Sequence, residues 1–301
     1  MDQQTESAIR ISVFLGLLLA LAAWEAVAQR RRLTYQKPMR WMANIGLLVL
    51  NSAAVRLAFV AGIVGVAYEA QRHGWGLLNW TPLPVWLETA LAVVILDFAL
   101  YLQHVLFHAV PLLWRLHMVH HADPDFDVTT GLRFHTLEIV LSLGIKAGVI
   151  VLLGAPPPAV LIFEVLLNAT SMFSHSNANM PKWLDSALRW IVVTPDMHRV
   201  HHSMISRETN SNFGFNVPWW DYLFGTYRAQ PQDGHEKMKI GLEFIPAKRA
   251  IALHWLLTLP FVARLPAARY EGPWKTDCVT PINDPQNQKI QPGHSPLSDS
   301  R

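Results

Sequence analysis

Fourteen histidines stand among the 301 residues, and nine of them fall into tight groups. His104 and His108 are spaced i, i+4. His117, His120 and His121 form an H-x-x-H-H, and His198, His201 and His202 form it again. On a helix, positions i, i+3 and i+4 share one face, so each group aims two or three imidazoles at one point. His175 is the ninth, at the end of an apolar run. A lone histidine near a membrane surface is ordinarily a satisfied polar residue, but two such triplets beside an H-x-x-x-H are not accidental. Eight or nine imidazoles exceed the four-coordinate demand of a single zinc. They suit two metals, each with about four or five nitrogens and positions left open for substrate. Imidazole accommodates Zn, Cu, Fe and Ni alike, so ligand type leaves the metal open. Met118 and Arg199 follow the leading histidines, so no H-E-x-x-H occurs and a zincin-type hydrolase is disfavoured. Cys278 is the only cysteine, which excludes an intrachain disulfide and a thiolate cluster.

The elements that must carry these histidines are apolar. Hydrophobic residues make up 51% of the chain and charged residues 16%, against roughly 25% charge in a soluble domain. The net charge of +3 is too small to suggest nucleic acid. Residues 9–28 are long enough to cross the bilayer. Acidic Asp2 and Glu6 precede this run and cations follow it, the wrong order for a cleaved signal peptide. Arg30, Arg31, Arg32, Lys37 and Arg40 then mark the cytoplasmic side, leaving the N-terminus outside. A second span over about 42–68 contains Arg56, an interfacial loop occupies 69–84, and a third span, 85–107, returns to the cytoplasm at His104 and His108. The histidine-rich segment 115–135 follows. The runs 137–153 and 158–174, split by Pro156, Pro157 and Pro158, read as a helical hairpin that barely crosses or stops short. This places every histidine group on the cytoplasmic side. Segment 251–264 is too short to span and is expected on the membrane surface.

The expected fold class is therefore all-α: a polytopic helical membrane protein with about three spans, a hairpin and a cytoplasmic histidine-rich cap. Residues 1–84 form an N-terminal transmembrane region, 85–230 the catalytic domain, 231–270 a peripheral segment and 271–301 a disordered tail.

At the histidines the sequence resembles the fatty acid hydroxylase/sterol desaturase superfamily of membrane di-iron oxygenases, over about 90–228. That family shows H-x-x-x-H, then H-x-x-H-H, then a distant H-x-x-H-H. Thr129-Thr130-Gly131-Leu132-Arg133-Phe134-His135 with Glu138 looks like its segment after the second box. Asn212-Phe213-Gly214 and Trp220-Asp221-Tyr222-Leu223-Phe224-Gly225-Thr226-Tyr227 look like its segment after the third. Thr136 departs from the proline often found there, which bears on local backbone and not on ligands.

The resemblance implies a di-iron centre, O₂ as co-substrate and an external electron donor, a ferredoxin or cytochrome type with its reductase. It implies a lipid substrate and no nucleic acid. It also implies that the eight box histidines are ligands, with His175 as a ninth, while His135 is either a ligand or a partner of one. Ligating imidazoles commonly donate their other N–H to a carboxylate or carbonyl. Asp97 shares a helical stripe with Tyr101, His104 and His108, and could serve so or pair with Arg56. Glu138, Asn177, Asp196 and Asp123 are further candidates, and Lys146 with Glu164 reads as a structural pair. Two rivals remain: a metal transporter or sensor, whose ligands should lie near the bilayer midplane, and a metal-independent acyltransferase using His120 and Asp125.

Overall fold

The computed structural model describes residues 3–35, 37–59 and 62–265. Cys278, His294 and the 271–301 tail lie outside the described residues. The described chain is all-helical, with two isolated β-bridges and no strand. The long helices are α1 (Gln3–Val27), α2 (Lys37–Ala58), α3 (Gly62–Arg72), α4 (Val85–Ala109), α5 (Pro111–His121), α6 (Thr136–Leu153) and α7 (Pro157–Ser174). Short helices follow: α8 (Lys182–Leu188), α9 (Pro195–His201), α10 (Ser206–Thr209), α11 (Trp219–Phe224), α12 (Gly234–Lys237), α13 (Ala247–Ala250) and α14 (Leu253–Val262).

Five stretches are long and apolar enough to cross a membrane: α1, the run from Lys37 to Trp80, α4, α6 and α7. Their outward faces carry exposed Leu15, Leu19, Leu57, Leu102, Leu106 and Leu152, the surface that hydrocarbon demands. The single span expected over 42–68 is divided into α2 and α3, and Gly62 takes the left-handed φ of 67° where α3 begins. The hairpin is formed as expected, each arm 18 residues long. At 1.5 Å per residue that is about 27 Å, just under the ~30 Å hydrocarbon core. Its turn follows from sequence. Gly154 ends α6 in the left-handed region, Pro156 caps α7 and Pro157 opens it. A side chain at Gly76 would meet the Gly154 backbone nitrogen at 2.0 Å, so the 69–84 loop can close over this turn only through glycine.

Packing sets the order of the bundle. α1 lies on α7, α2 on α6, and α4 against α5, α6 and α7. One core joins Ile63, Leu96, Leu143, Ile150, Val160 and Phe163 between α3, α4, α6 and α7. A second joins Ala43 and Leu47 of α2 to Met118 of α5 and to Leu256 and Leu259 of α14. The 251–264 segment thus buries one face against α2 and α5.

The other end of the bundle, opposite the Gly76–Gly154 contact, is held by polar ties. Buried Arg40 pairs with Asp123 at 2.7 Å and Asp127 at 2.8 Å. Glu25 accepts the Val128 and Asn177 N–H groups, both at 2.7 Å. The Arg30 N–H donates to the Asn177 carbonyl, and its side chain reaches Asp196 at 3.2 Å. The C-terminal ends of α1, α4 and α7 and the N-terminal ends of α2 and α6 therefore meet at one level, where all nine clustered histidines lie. Charge placement predicts that this level is cytoplasmic. In a Cys278→Ser background, Gln4→Cys and His73→Cys should react with an impermeant thiol reagent from outside, and Lys182→Cys only after permeabilisation. External labelling at Lys182→Cys would reverse the orientation.

Candidate metal centre

The nine histidines converge into two sets. His104, His108, His117, His121 and His201 form one, and His120, His175, His198 and His202 the other, with the potential ligand atoms of each set within 4.8 Å of one another. All nine are buried. α4 supplies His104 and His108 from its last turns, and α5 supplies three from its C-terminal half. α9 supplies His198 and His201, with His202 just past its end, and His175 caps α7. Neither triplet divides cleanly. His120 joins one set while its neighbours His117 and His121 join the other, so each motif bridges both.

What the imidazoles bond on their far side fixes their chemistry. The Nδ1 of His104 faces the Phe213 carbonyl at 2.8 Å, that of His120 the Arg133 carbonyl at 3.1 Å, that of His175 the Ser171 carbonyl at 2.7 Å, and that of His201 the Ser211 carbonyl at 2.7 Å. His117 Nδ1 lies 2.6 Å from Glu138 Oε1 and His108 Nδ1 lies 3.3 Å from Asn210 Oδ1. A carbonyl oxygen can only accept, so Nδ1 carries the proton and Nε2 is left with its lone pair.

Those lone pairs then face one another. His104 and His117 approach Nε2 to Nε2 at 3.1 Å, and His120 and His175 at 3.0 Å; His198, whose Nδ1 has no partner, brings its Nε2 to 3.1 Å from that of His175. The Nε2 atoms of His108, His121 and His201 and both ring nitrogens of His202 are buried without a hydrogen-bond partner. Protonation offers no relief. Burial holds His117 down at about 3 and His175 at about 4. Burial and neighbouring imidazoles keep His120, His121, His198, His201 and His202 well below the ordinary histidine range. Neutral nitrogen lone pairs converging in a dry site fit soft-to-borderline metal cations, and two of them, one per set.

Aromatic rings close the site. Phe134 stacks on His120 at 4.4 Å, while Phe107, Trp114, Phe126 and Phe213 pack on other imidazoles. A cavity of about 310 Å³ runs from His104, His117 and Glu138 into the bundle between α2, α4, α6 and α7.

A fatty acid hydroxylase family profile matches residues 89–226. A cholesterol 25-hydroxylase-like protein of Danio rerio is 32% identical over 72% of this chain and 87% of its own length. The chain belongs to the fatty acid hydroxylase family. An ornithine lipid hydroxylase of Rhizobium tropici is 29% identical over 73% of this chain and 67% of its own. An alkylglycerol monooxygenase of Xenopus tropicalis is 29% identical over 68% of this chain, which spans only 44% of that relative. No solved structure matches.

The family region holds all nine histidines, and the remaining candidates separate within it. Glu138 bonds a clustered imidazole directly. Asp97 does not, and exposed Arg56 is not its partner. It accepts from Trp220 Nε1 at 2.7 Å and from the Asn216 N–H at 3.3 Å, steadying the loop that carries Phe213. Asp221 accepts the Phe213 and Gly214 N–H groups and the Thr226 hydroxyl, and burial still pushes its carboxyl up to about 6. Asn177 and Asp196 tie α1 to the cap, and Asp123 holds Arg40, so these act on the scaffold. Burial would raise the Asp123 carboxyl, but Arg40 and Arg133 bring it down to about 2. Asp125 accepts from Thr34 and Tyr35 and forms no bond to His120. Sequence reading missed the carbonyls of Phe213, Ser211, Arg133 and Ser171, and Asn210.

His135 belongs to neither set. Its Nδ1 accepts the Leu137 N–H as the cap of α6, and its Nε2 faces the Leu257 carbonyl at 3.1 Å. His135→Ala should therefore keep full metal content and lose about 1 kcal/mol of stability, the usual cost of a missing N-cap. Metal analysis beside thermal unfolding checks this, and lost metal in a folded variant would make His135 a ligand.

Proposed function

We propose that the chain is a membrane di-iron oxygenase that uses O₂ and external electrons to hydroxylate or desaturate a lipid, with its active site on the cytoplasmic side. The observation that carries this reading is the pair of buried imidazole sets whose Nε2 lone pairs converge beside a largely apolar cavity. The five-histidine and four-histidine sets would each hold one iron. When bound, the irons would supply the oxidising power that cleaving an unactivated C–H bond requires, which side-chain acid–base chemistry does not offer. The names of the relatives, a lipid hydroxylase, a monooxygenase and a hydroxylase-like protein, support O₂ chemistry on a lipid.

The chain's own residues do the rest. The carbonyls of Phe213, Arg133, Ser171 and Ser211 and the Glu138 carboxylate hold each imidazole in one tautomer and one orientation. Phe107, Phe134 and Phe215 exclude water at the mouth of the site and present an apolar wall to hydrocarbon. Hydroxylation consumes O₂ with two electrons and two protons and releases water, so an electron carrier of ferredoxin or cytochrome type must dock on the cytoplasmic face. Neither rival is favoured. A midplane transport site does not fit ligands at helix ends, and the His120–Asp125 pair of an acyltransferase is not formed.

Lipid extracts from a host with and without the gene should differ by species that gain one oxygen or lose two hydrogens, only under air. His120→Ala, His121→Ala, His201→Ala and His202→Ala should each abolish this difference and lower bound metal. Exposed His73 and His254, outside both sets, should tolerate alanine with little change. Activity surviving in the box variants would end the di-iron reading.

A further inference from the structure

Two polar stripes face each other across the cavity. On α6, Glu138, Ser142 and Lys146 recur at i, i+4 and i+8; on α7, Glu164, Asn168 and Ser171 recur at i, i+4 and i+7. All six line the cavity, in helices that are otherwise mostly apolar. Lys146 Nζ donates to Glu164 Oε1 at 2.5 Å, and Arg10 donates to Glu164 Oε2 at 3.0 Å. Gln103 of α4 adds a hydrogen bond to Ser142 at 2.9 Å. Glu138 Oε1 takes the His117 ring, while its Oε2 is buried with no partner.

Structural ties account for part of this: Lys146–Glu164 joins α6 to α7, Gln103–Ser142 joins α4 to α6, and Asn168 donates back to the Glu164 carbonyl at 2.8 Å. They do not account for the orphaned Glu138 oxygen, nor for so many polar side chains lining one space. Polar groups within membrane spans are costly and characteristically face a pathway or cavity. Methylenes lying along these stripes would leave the Glu138 Oε2 atom unpaired. At about 310 Å³ the cavity is at the small end of ligand sites, so it encloses one segment of a lipid and not the whole. Exposed Ser52 and Asn168 and half-buried Arg10 frame its opening toward the bilayer, between the α1–α7 and α2–α6 pairs.

We infer that this cavity receives the hydrogen-bonding headgroup end of a lipid, with the hydrocarbon tail left projecting into the bilayer. The inference rests on the histidine centre as the site of reaction and specifies its substrate class. The substrate is an amphiphile with a compact head that offers acceptors to Lys146 and Arg10 and a donor to Glu138. Lys146 lies eight residues from Glu138 on one helix, so a head anchored at the Lys146–Glu164 pair sits about 12 Å along α6 from the Glu138 end of the cavity, where the histidines lie.

The test uses the full-length, iron-loaded protein in phosphatidylcholine nanodiscs. The probe is 1-monopalmitoylglycerol carrying a diazirine either on the glycerol or at the chain terminus. The glycerol-labelled probe should crosslink to the cavity-lining residues Glu138, Ser142, Lys146 and Glu164, and the chain-terminal probe only to the outward faces of the helices. Lys146→Met together with Glu164→Gln removes both charges of the pair, and Arg10 keeps Glu6 as its ion partner at 3.1 Å. This variant, and separately Ser142→Val, should each lower glycerol crosslinking about tenfold, the scale of a lost hydrogen bond to a charged or buried partner. Crosslinking of the cavity-lining residues by the chain-terminal probe, or glycerol crosslinking unchanged in both variants, would overturn the inference. Crosslinking needs no turnover, so iron content in the same samples reports on the metal centre independently.

Discussion

An imidazole nitrogen can carry a proton or hold a metal, and not both. The hydrogen bonds from Nδ1 to backbone carbonyls and to Glu138 decide this for most of the clustered histidines, because an oxygen that only accepts forces the proton onto Nδ1. The Nε2 atoms of His104 and His117, and those of His120 and His175, then meet lone pair to lone pair at 3.1 and 3.0 Å. Each buried unpaired nitrogen costs about 1–3 kcal/mol. A handful of them rivals the ~5–15 kcal/mol of net stability typical of a folded protein. A cation held at each set would turn this repulsion into coordination, and metal binding would then be coupled to the stability of the cap.

The rest of the architecture keeps that arrangement in place. α4 delivers His104 and His108 by helical periodicity, and its Asp97 holds the loop whose Phe213 carbonyl returns to His104. Arg133, fully buried, donates to the Val119 and Ala250 carbonyls and to Asn44, which fixes the backbone whose own carbonyl meets His120. Arg40 binds two aspartates on the segment leading out of the first triplet. Removing one partner from such a buried group leaves an uncompensated charge, so the segments that position the histidines depend on these residues.

Much of this was legible in sequence because it is written in periodicities. Hydropathy gave the apolar runs and the proline-split hairpin, and i, i+3, i+4 spacing gave the histidine groups. His175 had no motif of its own and was found through its place at a helix end. The division of each triplet between two sets was not legible, because it depends on how α4, α5, α7 and α9 cross. The carbonyl partners were not legible either, since every residue owns a carbonyl and only the fold selects Phe213 or Ser171. Asp97 shows the limit of pattern alone. It lies on the histidine stripe of α4, yet it turns to Trp220 and Asn216 and acts on His104 only through a loop. His135, which the sequence left open between a ligand and a partner of one, lies outside both sets and caps α6.

The central claim is that the two histidine sets each hold an iron. Elemental analysis of full-length protein, produced with iron in the medium and active in turnover, measures this directly. The account predicts two irons per chain. A reproducible value of one or none in active protein would contradict it.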